Sequence, residues 1–136
     1  PYLVQRHALN SPALDGLAMA ALPTLRVVTV LDETGQPEIV DGFFRTPVDA
    51  TSAVDNYHAG GCWFPIDHKT GVLKEGFRAG FESRPVNETR HPVTGAEVAG
   101  RLHPGALASF DLALRALLGA TLASCMTGSV VGIVAG

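Results

Sequence analysis

Cysteine is scarce: the 136-residue chain has two, Cys62 and Cys125. Two distant thiols cannot build the dense cross-linked framework of a small secreted domain, so a disulfide scaffold is excluded and reduced thiols are expected. Charge is sparse too, at 17% of residues, and its balance is a weak −3. That balance gives no long-range attraction to nucleic acid or anionic lipid. No apolar run approaches the roughly 18 residues of a membrane span. His7, His58, His68, His91 and His103 are scattered, and none pairs at the spacing a helical metal site uses. Neither Ser109 nor Ser124 sits on a strand–turn–helix elbow, so a hydrolase triad has no support. The expectation is a cytoplasmic chain without nucleic-acid or membrane partners and without metal ligands of its own.

What is present is enough for a core. The hydrophobic share is 46%, and a single domain of this length buries about two-thirds of its unfolded surface. Residues 2–5 read as a strand end. Ser11 and Pro12 make a helix start, a capping hydroxyl followed by proline at the first helical position. Leu14, Leu17, Ala18 and Ala21 give that short helix one apolar face, and Pro23 stops it. The β-branched run 24–31 (TLRVVTVL) is the clearest strand, with Leu25, Val27, Thr29 and Leu31 on one side and Arg26, Val28 and Val30 on the other. Residues 38–45 return as a hairpin partner across a turn that carries Gly35. A second, smaller hairpin is expected at 63–66 and 71–73. Residues 77–100 show no sustained period and read as a long functional loop. Residues 103–119 predict a helix opened by Pro104, with Leu107, Phe110, Leu114, Leu117 and Leu118 at helical spacing; Leu112 and Ala113 broaden its apolar surface, so it is expected to be well buried. Residues 130–134 predict a last strand. Hairpins mixed with separate helices indicate an α+β layer arrangement rather than a doubly wound parallel sheet.

Two constellations carry chemical interest. Asn56, His58, Gly60 and Gly61 lie within six residues (NYHAGG). Adjacent glycines let backbone N–H groups approach an anion closely. A turn with a capping asparagine and a surface histidine is the plainer alternative, and composition alone favours it. Arg26 interrupts the strongest strand, where an arginine must be paired, reach solvent or bind a ligand. Arg45 closes the return strand, and two guanidiniums brought together across a hairpin favour an anion between them. Cys62, beside the glycine pair, has no identifiable base and reads as structural.

Taken together, several stretches resemble the sugar-transfer-associated ATP-grasp proteins, which are related to α-L-glutamate ligases. They are YLVQR at 2–6, LPTLRVVT at 22–29, Phe44 with Arg45, DNYHAGG at 55–61, DHKTG at 67–71 and HPVTG at 91–95, with Gly100 and Pro104 behind. The resemblance covers most of residues 1–118 and leaves 119–136 unassigned. It implies a nucleotide held between two α+β subdomains. It also implies ATP-driven activation of a carboxylate as an acyl phosphate, which an amine then attacks. On this chain Val4 and Gln5 resemble the adenine-side hinge, Arg26 an arginine facing the phosphate or acyl phosphate, and Arg45, Asn56, His58, Gly60 and Gly61 the polar loop near phosphates and acceptor.

The resemblance also implies magnesium in the full family domain, held by acids after a strand like 130–134. The matching stretch here, VVGIVAG, has none. The family's glycine-rich loop and lysines would lie upstream. The expectation is therefore a single unit over 1–136 that is a fragment of an ATP-grasp domain, with the remainder of that domain as its missing partner. Such a unit would bind ATP and be inactive as an isolated chain. Non-catalytic binding on the same scaffold is the alternative, and an unrelated α+β protein a third.

Overall fold

Strand β1 (Thr24–Leu31) founds the architecture, and β2 (Pro37–Thr46) returns antiparallel beside it. The computed structural model describes residues 9–51, 60–79, 85–123 and 131–133; the strand end expected at 2–5 lies outside them. Asp32 shapes the hairpin turn by accepting the N–H groups of Thr34 and Gln36, each at 2.8 Å. Along β1, Leu25, Val27 and Thr29 are buried while Arg26, Val28 and Val30 are exposed. That is the alternation a half-buried strand requires. Leu31, expected on the buried side, is exposed. It closes the strand at the hairpin tip, four residues beyond the Val27–Gly42 pair over which the helix packs.

Strands β3 (Cys62–Pro65), β4 (Gly76–Ala79) and β5 (Pro85–Glu88) extend the sheet from β2. Strand β6 (Val131–Ile133) adds to the free side of β1. The order is β5-β4-β3-β2-β1-β6, with every neighbouring pair antiparallel. The class is α+β. The smaller hairpin predicted at 63–66 and 71–73 is reduced to β3 and a single bridge between Ile66 and Leu73.

Further expectations are corrected. The stretch 77–100 is not one long loop. It contributes β4 and β5, and then a turn closed by an Arg90–Glu97 bridge. Strands of four residues bounded by glycine and proline are too short to show a period of two. The early helix shrinks to one 3₁₀ turn, Pro12–Leu14, capped by the Ser11 hydroxyl.

Helix α1 (Ala106–Ala123) crosses the sheet face that carries Leu25 and Val27. It buries one stripe, Ala106, Phe110, Ala113 and Leu117, at the spacing of a single helical face. Leu107, Leu112 and Leu118 are exposed, so the apolar surface that Leu112 was expected to broaden is not all buried. One sheet offers one surface. Under α1, Gly42 lets the Phe110 ring approach the strand: a Cβ there would lie 2.9 Å from its Cε1. Phe44 and Phe64 fill the layer between, with Leu14 and Leu17 at its edge.

Candidate functional site

The other face of the sheet carries the candidate site. Period two sends Arg26 to the side away from α1. The β1–β2 register sets Arg26 across from Phe43, and Arg45, two residues along, shares that face. The β2–β3 register sets Arg45 across from Trp63. Arg26, Phe43, Arg45 and Trp63 thus line one cavity of about 280 Å³. The Phe43 and Trp63 rings meet edge to face, with centroids 5.1 Å apart and planes at 81°. Phe77 on β4 continues the row, 6.3 Å from Trp63.

The chemistry of this lining is specific. Guanidiniums are planar, permanently charged and suited to bidentate contact with carboxylate or phosphate. Aromatic walls exclude water from one side, which strengthens any charge contact made there. Among the described residues that line it there is no carboxylate. The described lining therefore suits an anion better than magnesium. Among the described residues no group of three or more His, Cys, Asp or Glu could hold a metal ion. The volume sits just below the roughly 300–1,000 Å³ of drug-sized ligand sites, enough for one part of a nucleotide and not for all of it.

The structure brings Arg26 and Arg45 to one cavity. Gly60 and Gly61 lie at the entrance to β3, immediately before Cys62 and Trp63, and Gly60 takes a positive φ of 92°. Val4, Gln5, Asn56 and His58 lie outside the described residues. Phe43 and Trp63 were missed in the sequence reading. The signal was there: Phe43 stands at i−2 from Arg45, and Trp63 is the chain's single tryptophan, inside a predicted strand.

The segments DHKTG and HPVTG, quoted for the resemblance, fold as turns of one design. In each, the N–H of the closing glycine bonds the first residue's carbonyl, Gly71 to Asp67 at 2.7 Å and Gly95 to His91 at 2.8 Å. Both glycines adopt a positive φ, 75° and 71°, which a side chain would resist. Asp67 Oδ1 accepts from the N–H groups of Lys69 and Thr70, each at 3.0 Å. His91 Nδ1 does the same for Val93 and Thr94, at 3.3 and 3.2 Å. An imidazole here does the work of a carboxylate. The second turn also holds the chain's early segment, through Thr94 Oγ1 to the Gly16 carbonyl at 2.5 Å.

Cys62 is buried, and burial foremost, with the nearby Glu88 carboxylate, pushes its thiol up to about 12. It stays a neutral thiol at physiological pH and so is no nucleophile. No described helix is long and apolar enough to cross a membrane.

Comparison with curated proteins and with solved structures finds no significant match. The family model for sugar-transfer associated ATP-grasp proteins matches residues 1–119. That span includes β1 to β5, the candidate cavity and most of α1. The chain belongs to the sugar-transfer associated ATP-grasp family.

Proposed function

We propose that the Arg26–Arg45 cavity receives the phosphate end of a nucleotide, or the acyl phosphate made from it, in an ATP-dependent carboxylate–amine ligase. Membership of the ATP-grasp family supports a nucleotide-binding, ligase-like role. The observation that carries the finer reading is the shared cavity: two guanidiniums from neighbouring strands open onto one space. In the reaction such a site serves, a carboxylate oxygen attacks the γ-phosphorus and ADP leaves; an amine then attacks the acyl carbon and phosphate leaves. Negative charge collects on the transferred group throughout. Arg26 and Arg45 would hold that charge without proton transfer, because arginine does not deprotonate. Gly60 and Gly61, with Asn56 and His58, would complete the phosphate side, and Val4 and Gln5 the adenine side. This chain alone supplies binding and not turnover.

The test is calorimetric titration of the 136-residue chain with ATP and magnesium, beside a phosphate-release assay. Binding is expected near a Kd of about 1 mM, which corresponds to about 4 kcal/mol, and should weaken as salt rises. Arg26→Ala and Arg45→Ala should each weaken it about tenfold, the lower end for a charge-assisted hydrogen bond. Arg→Lys should restore little, since an ammonium lacks the planar fork. Affinity unchanged in the double alanine variant would overturn the assignment of the cavity. Phosphate release that disappears in Arg26→Ala would overturn the binding-only part.

A further inference from the structure

The arginines alone would suit any small anion, yet they are not alone. Each faces an aromatic ring across the strand pair: Arg26 opposite Phe43, Arg45 opposite Trp63. Charge and ring therefore alternate across the cavity in both directions. The two rings lock each other edge to face, and Phe77 backs Trp63 from β4. An edge-to-face pair of this kind is a rigid wall with few rotamers to freeze on binding. All three rings are half-buried, on the face that α1 leaves uncovered. Pro65, the Cα partner of Phe43, continues the apolar surface beyond it.

From this alternation we infer that the cavity selects an anion borne directly on a flat, apolar-faced ring, a carboxylate or a phosphate ester, with the ring laid against Phe43 and Trp63. The inference rests on the reading of Arg26 and Arg45 as the anion site and adds the substrate body. Phe43 and Trp63 are then specificity-determining residues. The dimensions agree: about 280 Å³ holds one ring with its anionic group. A small hydrated anion would leave the ring wall wet, and a long flexible chain would present no face to it.

The single tryptophan makes the site its own reporter. Two charge-matched pairs are titrated against the full chain by Trp63 fluorescence: benzoate against acetate, and phenyl phosphate against methyl phosphate. In each pair only the flat ring differs. The ring-bearing member should bind about tenfold more tightly, the scale of one favourable ring contact with its burial. The stronger of the two pairs identifies the anionic group as carboxylate or phosphate ester. Phe43→Leu, read by fluorescence, and Trp63→Leu, read by calorimetry, should bring the ratio within each pair towards one, because the ring-bearing member loses more affinity than its small partner. Equal affinities within both pairs in the wild-type chain would overturn the inference and leave the arginine site standing. No binding of any of the four would sink both. The wild-type ratios decide the matter even if a leucine variant folds poorly.

Discussion

Gly76→Ala is expected to lower the melting temperature by about 10 °C, while Gly119→Ala raises it by a few degrees. The two substitutions add the same methyl group. At Gly76 a Cβ would lie 2.4 Å from Cδ1 of Phe64 and 2.5 Å from the backbone oxygen of Trp63. Phe64 is fully buried, so its ring has nowhere to go, and a carbonyl oxygen inside a strand moves only with the strand. Relief therefore requires β4 to lift from β3. Overpacking of this kind costs about 1–3 kcal/mol, and a backbone obstacle places it at the upper end. About 3 kcal/mol is roughly 10 °C for a chain of this length. At Gly119, on the exposed side of α1, nothing lies within 4 Å of the added carbon. Alanine there gains about 0.5–1 kcal/mol of helix propensity. Thermal melts followed by circular dichroism compare the two. Because Trp63 and Phe77 are paired across the same β3–β4 junction, Gly76→Ala should also shift Trp63 emission in the folded state. A Gly76→Ala melt that overlays the wild type would mean that β4 is not held against β3 as described.

How much of this was legible in the sequence depends on length and periodicity. The β1–β2 hairpin was legible because eight residues of β-branched strand are followed, across a turn that carries Gly35, by a second apolar run. Arg26 stood out because it is the one charge inside that apolar strand. The antiparallel class followed from the hairpins. What could not be read was anything that depends on register between distant segments. The pairing of Arg45 with Trp63 joins residues separated by a loop, and no local pattern encodes it. Strands β4 and β5 are four residues each, below the length at which a period of two differs from chance. The helix is legible but the width of its buried face is not, since seven apolar positions on a helix do not say how many sheets will cover them. The turns at 67–71 and 91–95 were visible as family segments. Their meaning as turns came only with the hydrogen bonds.

HPVTG carries one of the histidines of the family segments, and His91 is fully buried and occupied on both ring nitrogens. It is a structural residue joining the turn to Pro47, just after β2. Arg26 and Arg45 are the opposite case: they sit on a sheet face with a cavity in front of them. Family membership weights all these segments equally, and geometry separates them.

His91 also gives the chain a stability that depends on pH. Its Nε2–H donates to the Pro47 carbonyl at 2.9 Å, and its Nδ1 accepts from two backbone N–H groups. That arrangement fixes the neutral tautomer, because a proton on Nδ1 would face two donors. Burial pushes the imidazole below its ordinary value, and the Pro47 carbonyl offsets only part of that. His103 moves in the same direction, through burial first and then the charge of Arg101. The sign follows. Below an unfolded value of about 6.5, the unfolded chain binds protons that the folded chain does not. Stability is thus fully present above about pH 6.5 and is lost as pH falls towards the lowered folded value. Asp67 does not confuse this window. Held at about 2 chiefly by the Thr70 N–H, it contributes only where pH falls below the ordinary carboxylate range of about 4. Denaturant unfolding at pH 7 and pH 5 should therefore show the wild-type chain weaker at pH 5. His91→Ala should lose about 3 kcal/mol at pH 7, from the stranded Pro47 carbonyl, the opened turn and the cavity left by the ring. It should also show a smaller loss between the two pH values, with His103 supplying what remains. His91→Asn keeps an acceptor for the turn, as Asp67 does in its own, and should fall between wild type and alanine at pH 7 with the same flattened slope. A His91→Ala chain whose pH dependence matches the wild type would move the slope from His91 to other groups, His103 among them.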